Sequence, residues 1–237
     1  MDARIALQPA FVLHNRQYGD SSLIVEVFTK DFGRISLLAK GYRSQKKRSQ
    51  NLQAFSELTL SWSGRGELKT LTAIESSISK GIFVGARLYA GLYVNELLMR
   101  LLQKSDAHPE IYRDYCQLLS ELHAENDAEP YLRRFEFRLL AELGYAIDCQ
   151  SEAESGDDIR SGQVYRYIAD QGFYPIADSG EQKREAFMGE DLLLIARGDF
   201  SSLSSKRAAK RLVRLAMAPH LGSKPLKSRE LFVRPVS

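Results

Sequence analysis

Two groups of cationic side chains carry the chemistry that can be read from this 237-residue sequence. The first lies in GYRSQKKRSQ, Gly41 to Gln50, where Arg43, Lys46, Lys47 and Arg48 occur with no acid among them. Lys40 precedes this run, and Arg65 and Lys69 around a later Gly-rich turn extend it. The second group is Lys206, Arg207, Lys210, Arg211 and Arg214, whose spacing by three and four makes a positive stripe on a helix that buries Ala208, Leu212 and Leu215 elsewhere. Guanidinium and ammonium groups at this density bind phosphates, because each neutralised phosphate releases condensed counterions and the summed field draws an anionic polymer inward. Like charges four residues apart on a helix also repel. The second stripe therefore needs an anion, supplied either by another molecule or by the acidic insert of the same chain; the first group, a solvated loop if taken alone, reads as a nucleic-acid contact beside a basic tail.

Groups that make or break covalent bonds find no matching pattern. There is no Walker A loop, no GxSxG elbow and no HExxH, and Gly64-Arg65-Gly66 does not continue into a dinucleotide fingerprint. His14, His108, His123 and His220 are scattered without ligand spacing, and Asp157-Asp158 in a Ser- and Gly-rich stretch read as solvated acids. Cys116 and Cys149 fit two buried free thiols better than a disulfide framework or a zinc pattern. The expectation is a protein that is not an enzyme and holds neither cofactor nor metal.

Charge is sorted along the chain. Twelve basic and seven acidic residues give +5 for Met1 to Lys80, seven and ten give −3 for Gly81 to Gly144, four and ten give −6 for Tyr145 to Glu190, and ten and three give +7 for Asp191 to Ser237. A composition that is 44% apolar and 27% charged suits a globular chain with a real core. No apolar run approaches the roughly 18 residues a bilayer crossing needs. The N-terminal MDARIALQPAFVL lacks a signal-peptide pattern, so a cytoplasmic location with no membrane partner is expected.

The elements that must position these cations show in the periodicity. From Ala10 to Glu75 the period is near two, with strands at about Ala10–Asn15, Ser22–Thr29, Arg34–Lys40, Phe55–Trp62 and Leu68–Glu75, and with Leu23, Val25, Val27, Ile35, Leu37, Ala39, Leu58, Leu60 and Trp62 on the inward side. Five short strands punctuated by turns suit an OB-type barrel. Helical periods follow at Arg87–Gln103, from Pro109 to about His123 and from Pro130 to Leu143, a three-helix bundle with Gly144 at the left-handed stop. Asp148 to Glu185 is expected to be loop-rich with a hairpin at Gln163–Tyr174, before helices at Gly189–Arg197 and Ser204–Ala218, the latter capped by Ser204. The fold class is α+β, with an OB domain over residues 1–80 and a helical domain over 81–237 that carries the acidic insert at about 146–188. Of the barrel aromatics Tyr18, Phe28, Phe32, Tyr42 and Trp62, most are assigned to the core; Tyr42, inside the basic loop, is either core or a ring for base stacking.

Seven segments in order resemble the RecO family of recombination mediator proteins: Ala10-Phe11-Val12-Leu13; Val27-Phe28-Thr29 with Gly33-Arg34; Ala39-Lys40-Gly41; Gly64 to Leu71; Tyr93 to Leu98; Leu132 to Glu136; and Lys224 to Phe232. The resemblance spans essentially the whole chain. It implies a non-enzymatic DNA repair and recombination factor that binds single- and double-stranded DNA, anneals complementary strands and, with RecR, promotes RecA loading on strands coated by single-strand DNA-binding protein. It further implies a site for the acidic C-terminal tail of that protein, which Leu132, Arg133, Arg134 and Phe135 supply here, Arg133 foremost; otherwise the two arginines pair with Asp127, Glu129 or Glu136. Many members carry a four-cysteine zinc module after the third helix, a pattern from which this sequence departs, since Cys149 is its only cysteine there. The alternatives are a protein-interaction scaffold with incidental DNA affinity and an RNA-binding OB protein.

Overall fold

The computed structural model describes residues 4–44, 52–76, 83–124, 127–177 and 185–231. Strands β1 (Arg4–Tyr18), β2 (Ser22–Thr29), β3 (Gly33–Ala39), β4 (Glu57–Ser63) and β5 (Leu68–Ser76) close into a barrel in the order β1-β2-β3-β5-β4. β3 and β5 run parallel, the other pairs antiparallel, and β4 returns to β1, which is the OB arrangement. The alternating positions named above fill the interior, from Val25 and Leu37 at 0% exposure to Leu23 at 7%.

β1 is much longer than its periodicity predicts. Its register slips between Ile5 and Gln8 and again between Val12 and His14, so the alternation that marks a strand is broken twice. Leu13 sits at the second slip, and its carbonyl is taken by the amide of a helix: Asn95 Nδ2 donates to it at 2.8 Å, while Asn95 Oδ1 accepts from Tyr115 Oη at 2.5 Å. Asn95 belongs to α1 (Gly85–Leu101) and Tyr115 to α2 (Pro109–Ala124), so one buried amide ties both helices to the barrel wall. Around it Phe11 and Phe28 pack on Tyr115 and Tyr112, with ring centroids 5.1 Å and 5.5 Å apart.

The link between α1 and α2 lies directly on the β2–β3 turn. A Cβ on Gly33 would fall 1.7 Å from the Asp106 carbonyl oxygen, and Gly33 has φ +61°, so both contact and conformation require glycine. Ser105 N donates to Arg34 O at 2.9 Å alongside. Lower in the same unit, α6 (Ser228–Leu231) docks on α1 through Glu96, whose carboxylate accepts from Lys227 N, Ser228 N and Ser228 Oγ at 3.0, 2.9 and 2.7 Å. Burial works to raise the Glu96 pKa, but the hydrogen bonds from Ser228 and Lys227 and the charge of Arg100 outweigh it, and the carboxyl lies below its ordinary value.

The chain divides into two compact units, residues up to 124 together with those from 226, and residues 125–225. In the second unit α3 (Glu129–Glu142) and α4 (Gly189–Ala196) each pack on α5 (Leu203–Met217), beside a three-stranded sheet of β6 (Val164–Ile168), β7 (Gly172–Ile176) and β8 (Ala186–Met188) in the order β7-β6-β8. The predicted three-helix bundle is therefore corrected: α3 buries its apolar stripe in this unit, against α5. The loop-rich insert holds more order than expected, because β8 is three residues long and too short to show a period. Ser202, not Ser204, caps α5, its hydroxyl accepting from Ser205 N at 3.0 Å.

Two stability predictions follow from these contacts. Asn95→Ala removes at once the donor to the buried Leu13 carbonyl and the acceptor of the Tyr115 hydroxyl, and should lower unfolding free energy in urea by about 2–4 kcal/mol, against about 1 kcal/mol for Tyr115→Phe; equal small losses would show that the amide is not the tie. Because the Glu96 pKa is lowered on folding, the docking of α6 should be complete above the ordinary value of 4.5 and be lost as pH falls through the lower folded value. The Ser228 amide resonance followed by NMR should report that transition, and Glu96→Gln should abolish it.

Candidate nucleic-acid interface

The outer face of β2 and β3 is the surface on which OB barrels commonly hold oligonucleotides. Much of it is closed here. Glu26 accepts from Ser36 Oγ at 2.6 Å and pairs with Arg34 at 3.3 Å, Arg34 donates through Nε and Nη2 to Leu102 O at 3.3 and 3.2 Å, and Phe28 lies under Tyr112. Charge is internally neutralised at this end, and helix covers it.

The other end of the face is open. Arg43 N donates to Ser21 O at 2.9 Å, and Arg43 Nη1 reaches Gly19 O at 3.3 Å and Asp20 O at 3.5 Å, so the start of the basic loop folds against the β1–β2 turn. Lys40 and Arg43 are exposed there. The far stem is fixed by Leu52, 1% exposed in the barrel core, whose carbonyl accepts from Asn15 Nδ2 at 2.5 Å. Lys46, Lys47 and Arg48 lie outside the described residues. Tyr42 and Phe32 are half-buried against the barrel core, Trp62 lies within it and Phe28 is buried beneath Tyr112; Tyr18, assigned to the core from sequence, is instead 50% exposed on the turn.

Arg65 and Lys69 lie on the β4–β5 hairpin, apart from that turn. Arg65 is exposed, whereas Lys69 is half-buried and donates through Nζ to Gly66 O at 3.2 Å, closing its own hairpin. Arg4, exposed opposite Ser63, and Arg16, exposed on β1 beside Tyr18, are cations the sequence reasoning passed over. Their signal is the outward parity of β1, which the slip at Leu13 conceals.

On α5 the five cations divide. The apolar side, Ala208, Ala209, Leu212, Val213, Ala216 and Met217, is buried. Lys206 Nζ donates to Asp127 Oδ2 at 2.5 Å, a bond that, foremost among several, lowers the Asp127 carboxyl pKa, and Lys210 lies 3.7 Å from Glu129. Arg211 turns inward, its guanidinium 4.3 Å from the Phe187 ring centre and donating to Ala186 O at 2.6 Å. Arg207, Lys210 and Arg214 remain exposed at positions i, i+3 and i+7, on one side of the helix. The intramolecular acids are thus the pair that leads into α3, while the 146–188 region offers Arg211 a ring and a carbonyl.

The four α3 residues face different ways. Leu132, Arg133 and Phe135 are buried at 7, 5 and 2% exposure, and Arg133 Nη1 lies 2.9 Å from Glu136 Oε2, itself fully buried. Arg134 is exposed, 5.7 Å over the Tyr131 ring. The structure brings the four together in sequence but not into one open pocket.

The residues around Cys149 do not fit the four-cysteine zinc pattern from which the sequence departs. Cys149 is buried, and burial, reinforced by Asp148, pushes its thiol up to about 12, away from the thiolate a metal needs. Tyr165, Tyr167, Phe173 and Phe187 fill the neighbouring sheet instead. Among the described residues no three His, Cys, Asp or Glu side chains converge to hold an ion.

Comparison with known proteins agrees with this architecture. Residues 1–79 match the family described as recombination protein O N terminal, and residues 83–230 that described as recombination protein O C terminal. The chain is 42% identical over 229 residues to the DNA repair protein RecO of Aliivibrio fischeri strain MJ11, covering 96% of this chain and 95% of that one. It is 43% identical over 236 residues to the DNA repair protein RecO of Vibrio vulnificus strain CMCP6, covering 99% and 96%. A third, the DNA repair protein RecO of Actinobacillus pleuropneumoniae serotype 3 strain JL03, is 43% identical over 224 residues, covering 94% and 92%. With an OB barrel at its N-terminus, helices after it and matches along its whole length, the chain belongs to the RecO family of DNA repair proteins.

Proposed function

We propose that this protein binds single- and double-stranded DNA without covalent chemistry, anneals complementary strands and, together with RecR, promotes RecA loading on strands coated by single-strand DNA-binding protein, acting on the nucleoid in the cytoplasm. The observation that carries this reading is that each compact unit exposes its own cations: Lys40 and Arg43 at the β1–β2 turn, and Arg207, Lys210 and Arg214 along α5. Two strands repel through their phosphates. A protein that neutralises both raises their effective concentration, and annealing then needs no catalytic group. No helix of the described residues is long and apolar enough to cross a membrane.

The tail of the single-strand binding protein is acidic, and α3 presents Arg134 as an exposed cation beside the Tyr131 ring. Arg133 supports that helix from within through Glu136. RecR and RecA enter by family resemblance, without a surface assigned to either.

Binding of an oligo-dT strand should weaken with salt at a log–log slope of about −4 if roughly six phosphates are engaged. The double reversal Lys40→Glu with Arg43→Glu should cut that affinity, whereas Arg207→Glu with Arg214→Glu should slow annealing more than it weakens binding of one strand. A slope near zero, or annealing untouched by either pair, would reject the electrostatic mechanism. For the tail, Arg134→Ala should reduce binding of an acidic tail peptide with little change in stability. Arg133→Ala removes the buried ion pair to Glu136 and should act on unfolding free energy rather than on peptide affinity; peptide affinity unchanged in Arg134→Ala would remove α3 as the tail site.

A further inference from the structure

We propose that Tyr18 is a base-stacking platform for single-stranded DNA, set among the phosphate-binding cations Arg16, Lys40 and Arg43 at the open end of the barrel's outer face. The inference rests on the DNA-binding reading above and adds to it a contact with the bases themselves. Tyr18 ends β1 with its side chain 50% exposed, and among the described residues no ring or polar group partners it. Its position on the sheet is fixed by register. Tyr18 pairs with Ser22 and Leu23 with Ala39, so alternation places Tyr18, Ser22 and Lys40 in one cross-strand row on the outer face. Two strand spacings put Tyr18 and Lys40 about 10 Å apart. Arg16, opposite Ile24, shares that face one row away.

The turn that carries the ring is held in place before any ligand arrives. Arg43 donates its backbone N–H to Ser21 O at 2.9 Å and a guanidinium N–H to Gly19 O at 3.3 Å. A ring on a pinned turn loses little freedom on binding, and more of its contact energy therefore appears as affinity. Charge complementarity selects the ligand: Arg16 and Lys40 share the face of the ring and Arg43 is bonded to the turn that carries it, against Asp20 as the acid of that turn. Bases inside a duplex already stack on one another, so an exposed tyrosine reaches only unpaired ones. Phosphates held by the cations and a base laid on the ring are together the chemistry of a single strand.

The test uses the full chain and three labelled ligands of equal length, an oligo-dT strand, the same backbone with abasic sites, and a duplex, followed by fluorescence anisotropy. Tyr18→Ala should lower affinity for oligo-dT about tenfold, with the loss confined to the strand that carries bases, and Tyr18→Phe should restore what Tyr18→Ala loses. Tyr18→Trp should show indole emission quenched by oligo-dT and not by the abasic strand. An equal loss on all three ligands, or no loss on oligo-dT, overturns the proposal. Failure of the unmodified protein to bind any of the three would instead overturn the DNA-binding reading on which it stands.

Discussion

Asn95 is an amide at 1% exposure on the buried side of α1, and both halves of it are used. Its nitrogen satisfies the Leu13 carbonyl, which the slipped register of β1 leaves without a strand partner, and its oxygen takes the Tyr115 hydroxyl. Left alone, a buried carbonyl at a bulge costs a large part of a hydrogen bond's worth of stability. Satisfying it from a helix makes the irregularity of β1 and the docking of α1 and α2 a single event. What the helices then cover follows: Phe11 and Phe28 go under Tyr115 and Tyr112, Gly33 goes under Asp106, and the surface that most OB barrels leave for a ligand is reduced to its loop end.

That restriction gives the electrostatics their meaning. Net charge of +5 at one end of the sequence and +7 at the other says nothing about which cations face water. Arg34, Arg133, Lys206 and Arg211 are committed to carboxylates, carbonyls or a ring of their own unit. Among the cations singled out from the sequence, Lys40 and Arg43 on the barrel and Arg207, Lys210 and Arg214 on α5 stay exposed, and they form one group on each unit. Structural ion pairs and ligand-facing cations draw on the same residue types, and only burial separates them.

The barrel was legible because its interior alternates without interruption over β2 to β4, and the matched family agrees with the OB fold. Helix positions were legible for the same reason, at a different period. The start of β1 was not, since two slips destroy the alternation, and β8 was not, since three residues carry no period at all. Arg133 and Arg134 are adjacent and chemically alike, yet one is buried and the other open; a helix turns by roughly 100° per residue, and no composition argument says on which side of that turn each lies. Tyr18 escaped for another reason. The first strand as read from its period stops at Asn15, and the outward parity of Tyr18 becomes visible only once β1 is seen to run past the slip at Leu13.

The clamp of Glu96 on Lys227 and Ser228 returns the polypeptide to its first unit after residues 125–225 have made a unit of their own. That second unit is thereby a loop closed at both ends. The entropy of closing a loop grows only logarithmically with its length, at about 0.6 kcal/mol per doubling, so the barrel and its two helices are almost indifferent to how much chain is looped out between them. The excursion can consequently be exchanged, shortened or enlarged at little cost to the barrel.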